Sequence, residues 1–317
     1  MKDLLQLSLA PSTRRSYSSG QRRFFQFCSS VGLLHHSGSP FPASESTLEL
    51  FVSHLSSSVS YRTVKCYLAA VRSLHIDLGF GDPLTATPRL EHVLRGIKRS
   101  QASLAQARPP RLPVTRDLML LIHSRLNLAD PDSAMLWAAF STAWFGFLRV
   151  SEFTTIPSGF DPSVHLSISD LAVDCHLRSS GVLLLIKASK TDPFRQGVKL
   201  LLPRTGGALC PVASLSAYLH HRGDSSGPLF LFADGTPLSR LHVTDRLRSI
   251  LADAGVQGNF SSHSFRIGAA TSANAAGLPD SLIRTLGRWS SDAYLVYVRT
   301  SHDTLRQAAR QLASSSP

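Results

Sequence analysis

At 317 residues the chain exceeds what one hydrophobic core usually fills, so two domains are expected. A hydrophobic fraction of 43% and a mean hydropathy of +0.03 exclude a disordered basic tail. The excess of 33 Lys and Arg over 21 Asp and Glu leaves a net charge of +12 and points to a polyanionic partner.

Residues 1–110 hold 13 basic and 6 acidic side chains, and this shorter segment is the more basic one. It reads as all helix. Ser12 or Thr13 caps a first helix running to about Ser29, with Tyr17, Phe24, Phe25 and Cys28 for the core and Arg14, Arg15, Arg22 and Arg23 adding charge. A second helix fits Glu45 to Leu55. A third spans about Tyr61 to Leu78, where Val64, Leu68, Val71 and Leu74 share one face and Arg62, Lys65 and Arg72 lie off it. A fourth, Leu90 to about Leu104, carries Arg95, Lys98 and Arg99. Basic faces on short helices suit a grip on a phosphate backbone, and Arg, 27 of the 33 basic residues, suits phosphate oxygens best.

Three prolines within residues 107–113 forbid helix, so residues 107–114 are expected to link a domain of residues 1–106 to one of 115–317. Beyond them, helices fit Thr115 to Arg125 and Ser133 to Phe145. The apolar stretch Ala134 to Leu148 is about fifteen residues, short of the roughly 20 that span a membrane, and reads as a buried helix. Two aliphatic runs, Val182 to Ile186 and Val198 to Leu202, then form a β-hairpin with a long tip. Helices resume at Pro211 to His221, His242 to Ala254, Ser262 to Ala276, Asp280 to Leu286 and Ser301 to Leu312. The fold class is mainly α with a small β-sheet.

No Gly-rich phosphate loop, HExxH or paired Cys/His spacing is present, and the sparse carboxylates form no evident two-metal cluster, so no cofactor or metal is expected. Cys28, Cys66, Cys175 and Cys210 lie far apart, which suits a reducing compartment. The N-terminus, with Lys2 and Asp3 and no apolar run, shows no secretory signal.

Chemistry gathers in three places. Phe147 to Glu152 reads FLRVSE, Ser189-Lys190-Thr191 sits at the hairpin tip, and His263 and Arg266 stand three apart ahead of Leu286 to Trp289, Tyr294 and Tyr297. In this order the chain resembles the tyrosine recombinases, or integrases, over nearly its whole length. The resemblance implies a two-domain C-shaped clamp on double-stranded DNA, a helical core-binding domain plus a catalytic domain. It makes Arg149 and Arg266 the phosphate-binding arginines, Glu152 the carboxylate that orients Arg149, and Lys190 the general acid, with Lys187 as its rival on the same hairpin. His263 becomes the helper base and Tyr297 the nucleophile, nine residues beyond Arg288, with Tyr294 a packing neighbour.

The family's usual His or Trp after the Gly is replaced: either Arg288 donates to the phosphate there, or a one-residue shift brings in the Trp289 indole. The implied backbone contacts are Arg14, Arg15, Arg22, Arg23, Arg62, Lys65, Arg72, Lys98 and Arg99, and the implied assembly is a tetramer coupled through the helix at 301–312. The phrasing HSFRIGAAT…LGRW is most similar to recombinases of eukaryotic DIRS-like and Crypton elements, which implies a nuclear location if the host is eukaryotic. The implied activity is cleavage and rejoining through a 3′-phosphotyrosyl bond. A non-cutting DNA-binding protein of the same fold and a type IB topoisomerase are the alternatives.

Overall fold

The computed structural model describes residues 2–104, 109–156, 159–174, 181–291 and 294–295. It divides into two compact units, Met1–Arg108 and Pro109–Pro317.

The first unit contains α1 (Lys2–Leu7), α2 (Pro11–Ser30), α3 (Glu45–Ser56), α4 (Tyr61–Asp77) and α5 (Pro88–Leu104). α1 is not among the expected helices, and α2 begins earlier than expected: Ala10 is the capping residue and Pro11 opens the helix, where its fixed φ fits and its missing N–H costs no hydrogen bond. Side-chain caps do form on α3 and α4, where Ser44 and Ser60 accept the main-chain N–H of Thr47 and Thr63 at 3.2 and 3.3 Å. Phe24, Phe27, Leu48, Phe51, Leu55, Val64, Leu68 and Val71 make the core. Gly20 lets α2 approach α4, since a Cβ there would lie 2.9 Å from that of Ala70. The α3–α4 turn is closed by Gln101, whose amide donates to Ser56 O and Val59 O and accepts from Tyr61 N–H. Because the apolar stripes face inward, the arginines and lysines between them are left in water.

In the second unit, residues 109–114 are a bound strap and not a free linker. Leu112 N–H donates to Asn259 O and Val114 N–H to Ser264 O, while Val114 O accepts from the Trp144 indole at 2.9 Å. The extended backbone that the prolines impose is what allows this, because main-chain groups unused by helix must find partners elsewhere. Then come α6 (Arg116–Arg125), α7 (Pro131–Phe145), α8 (Val150–Phe153), β1 (Leu171–Asp174), β2 (Gly181–Ile186), β3 (Val198–Leu202), α9 (Pro211–Arg222), α10 (Arg240–Asp253), α11 (Ser264–Ala275) and α12 (Asp280–Gly287).

The apolar α7 is the centre of this unit: every residue from Ala134 to Ala143 is buried, including Ser141 and Thr142. No helix among the described residues is long and apolar enough to cross a membrane. The sheet is antiparallel in the order β1-β2-β3, with Leu171 opposite Leu184 and Ile186 opposite Val198. The expected hairpin is β2–β3, and β1 is a third strand that four residues ending in Asp did not announce. The expected helix at 301–312 lies outside the described residues.

Candidate active site

The site is built on the tight turn after α7. Gly146 caps that helix, Phe147 takes a left-handed φ of 48°, and Arg149 stands at the N-terminus of the single-turn α8. This puts Glu152 one helical turn from Arg149 and wholly buries its carboxylate. Glu152 Oε2 accepts the Arg149 main-chain N–H and Oε1 accepts Arg149 Nη1, both at 2.9 Å. Glu152, the expected orienting carboxylate, is therefore in contact with Arg149.

Glu152 also receives a second guanidinium. Arg288 Nη2 donates to Oε2 at 2.7 Å, and its Nη1 donates to Gly146 O at 3.0 Å. Arg288 caps α12 with a φ of 54°, and this left-handed residue turns its side chain back onto the 146–149 turn. Only 13% of that side chain is exposed, and its Nε is buried with no acceptor among the described residues. Burial pulls the guanidinium below its ordinary pKa and the Glu152 charge works the other way. It stays protonated at neutral pH, as an arginine does. A salt bridge between residues this far apart in the chain left no local signal in the sequence.

Arg266, in the first turn of α11, is 1% exposed. Its Nη1 donates to Phe147 O and its Nη2 to Gly287 O, so it ties the same turn to the end of α12. The Trp289 ring lies over it, 4.3 Å from the guanidinium carbon, in a cation–π contact. Gly287 is required there, because a Cβ would fall 1.6 Å from that ring.

His263 immediately precedes α11. Burial first, and then the charges of Arg266, Arg111, Arg149 and Arg240, push it down to about 4, so at neutral pH it is an uncharged imidazole able to accept a proton. Arg111, on the strap, and Arg240, opening α10, were not singled out by the sequence reading, since neither belongs to a short motif.

On the hairpin the two candidate lysines separate. Lys187 is paired with Asp170 at 2.6 Å and donates to Ser167 Oγ at 3.3 Å. Lys190 is exposed at the tip. Tyr294 is 4% exposed and packs with Phe147, Ala269, Ala270 and Ile283, as a packing neighbour would. Tyr297 lies outside the described residues.

Arg149, Glu152, Arg266, Arg288 and Trp289 thus gather around one turn, and His263 lies within the field of Arg149 and Arg266. Among the described residues no three His, Cys, Asp or Glu side chains gather as metal ligands. In the first unit Arg15, Arg22, Arg23, Arg62, Lys65, Lys98 and Arg99 are exposed and Arg14 is half-buried. Arg72 is exposed as well and is paired with Asp82, through Nε at 2.8 Å and Nη2 at 2.6 Å.

No family model matches the chain. It is 25% identical over 285 residues to an integrase/recombinase xerD homolog of Selenomonas ruminantium, covering 86% of this chain and 76% of that one. Its structure is similar to that of the XerH site-specific recombinase bound to palindromic difH substrate in a post-cleavage complex. The TM-score is 0.66 and the identity 16%, over 95% of this chain and 80% of the other. A lambda integrase dimer bound to a COC′ core site gives a TM-score of 0.57 at 17% identity, over 92% and 72%.

Proposed function

We propose that this chain, which has the fold of those recombinases, is a site-specific DNA recombinase that cuts and rejoins strands through a 3′-phosphotyrosyl bond at Tyr297, without metal or ATP. The observation that carries this reading is the convergence of Arg149, Glu152, Arg266 and Arg288 on the 146–149 turn, with His263 in the field of Arg149 and Arg266.

Charge accumulates on the non-bridging oxygens as phosphorus becomes five-coordinate, and guanidiniums already fixed in place stabilise it without reorganising. Arg149 and Arg266 are fixed, one by Glu152 and the other by two main-chain carbonyls. A phenol near pKa 10 is a poor nucleophile at neutral pH, so the Tyr297 proton passes to His263 as its oxygen bonds to phosphorus. The bond to the 5′-oxygen breaks, and Lys190 protonates that oxygen as it leaves. Rejoining reverses the sequence from a second 5′-hydroxyl, with the phosphodiester energy held in the tyrosyl ester.

Arg288 serves this site as a positioning residue. Its guanidinium is bound to Glu152 and to Gly146 O, and its work would be to hold the carboxylate that holds Arg149. The arginine-rich helices of the first unit would grip the DNA backbone, and residues 301–312 would couple copies in a tetramer on DNA. The HSFRIGAAT…LGRW phrasing supports a relation to DIRS-like and Crypton recombinases, and with it a nuclear location in a eukaryotic host.

Incubation with nicked suicide DNA substrates tests the reading. A covalent protein–DNA complex is expected, together with recombinant products. Relaxation without recombinants would favour a topoisomerase, and binding without any covalent complex would mark a DNA-binding protein that no longer cuts.

A further inference from the structure

Phe194, at the tip of the β2–β3 hairpin, is 84% exposed, more than any other large apolar side chain among the described residues. The loop does not hold it out by accident of disorder. Asp192 Oδ1 accepts the main-chain N–H of Gln196 at 3.1 Å and Oδ2 that of Gly197 at 2.8 Å, while Arg195 N–H returns to Asp192 O at 3.3 Å. Arg195 takes a left-handed φ of 53°, a conformation that a side-chain-bearing residue enters only when its surroundings impose it. Pro193, with its fixed φ, leads into the Phe. The result is a closed turn that presents Pro193, Phe194 and Arg195 together on its outside.

The surroundings identify what such a side chain meets. The tip has one carboxylate, Asp192, bound by two N–H donors, against the exposed Lys190, Arg195 and Lys199, and although Arg195 also acts on Asp161 the tip keeps a net positive charge. An exposed aromatic ring on a hairpin tip of net positive charge suits duplex DNA: the cations would sit against phosphates and the ring would wedge against a base-pair step.

We propose that Phe194 is a wedge that enters duplex DNA at a base-pair step and seats the hairpin, and with it Lys190, on the strand to be cut. This rests on the reading of the chain as a DNA recombinase, but it concerns binding and not the cutting chemistry.

The test uses the full chain and a duplex of about 40 base pairs that the wild-type chain selects from a random pool. Phe194→Ala and Phe194→Leu are compared for affinity across a salt series and for permanganate oxidation of unstacked thymines. Phe194→Ala is expected to bind about tenfold more weakly or worse, the size of one base–aromatic stack, with an unchanged salt slope, and to lose the reactive thymine. Phe194→Leu, still apolar, is expected to retain much of both, and melting temperatures should match because the ring is exposed. Equal affinity and an unaltered permanganate pattern in Phe194→Ala, with cleavage still proceeding, would overturn the wedge and leave the recombinase reading intact. Failure of the wild-type chain to bind any duplex would overturn both. A drop in oligomeric state of Phe194→Ala without DNA, with DNA affinity intact, would assign the ring to contact between copies and also overturn the wedge.

Discussion

Arg288 and Glu152 stand 136 positions apart and share one buried contact, and neither is meaningful alone. Glu152→Gln removes the charge opposite two guanidiniums; a buried pair broken on one side typically costs about 3 to 5 kcal/mol, so a large drop in melting temperature is expected. Arg288→Ala leaves Glu152 with Arg149 and should lower single-turnover cleavage far more than DNA affinity, with Arg288→Lys recovering only part of it because a point charge cannot reach both Glu152 and Gly146 O. Equal losses in binding and cleavage would contradict the positioning role.

His263 yields a pH prediction. Its folded value of about 4 lies below the ordinary 6.5, so below pH 6.5 the unfolded chain takes up a proton that the folded chain does not. Stability therefore falls as pH drops from about 6.5 to about 4, by on the order of 3 kcal/mol from this group. His263→Gln should flatten that part of the curve in chemical denaturation, and an unchanged curve would refute it. The burial that lowers His165 acts in the same direction. Arg149 with Glu152, and His263 with Arg266, could be picked out in the sequence because each pair stands three apart in a motif that resembles the family's. The Arg288 partner and the fields of Arg111 and Arg240 were not, since only folding brings them near.

Among the elements, the hairpin divides its two lysines by environment. Lys187→Ala strips the partner from Asp170 and should cost about 2 kcal/mol of stability. Lys190→Ala should leave stability within about 0.5 kcal/mol and slow cleavage by about 100-fold or more. A 5′-bridging sulfur at the scissile bond, whose thiolate leaves without a proton, should restore the lost rate; no restoration would deny Lys190 the role of general acid. The strap gives a second expectation. A Cβ on Gly268 would meet Val114 O at 1.8 Å, and main chain does not yield as a flexible side chain does, so Gly268→Ala should destabilise the second unit by about 2 to 3 kcal/mol on thermal unfolding.

Long elements were readable from periodicity: α3, α4, α6 and α9 run within a residue or two of the expected bounds. The short ones, α1, α8 and β1, were not, because four to six residues carry too little pattern and depend on what packs over them. The 109–114 segment shows the same limit, since proline forbade helix without revealing that the extended chain would be hydrogen-bonded to α11 and the loop before it.

For the whole molecule, length pointed to two units, periodicity to a mainly helical class, and the excess of basic residues to a polyanionic partner. The grouping of arginines around the 146–149 turn is what the proposed cutting chemistry draws on. Several arginine–phosphate contacts predict that log affinity for duplex DNA falls steeply and linearly with log salt concentration, and a flat dependence would remove the first unit's exposed arginines from the interface. Charge could not say which arginines are paired within the protein: Arg72, exposed but tied to Asp82, was indistinguishable in the sequence from its neighbours.

The central claim is that Tyr297 becomes covalently joined to a DNA 3′-phosphate. Trapping on nicked suicide duplexes followed by peptide mapping of the protein–DNA adduct tests it most directly. The account predicts an adduct on the peptide containing Tyr297 that disappears in Tyr297→Phe while DNA binding persists. An adduct that survives Tyr297→Phe, or its absence on every duplex the wild-type chain binds, would contradict it.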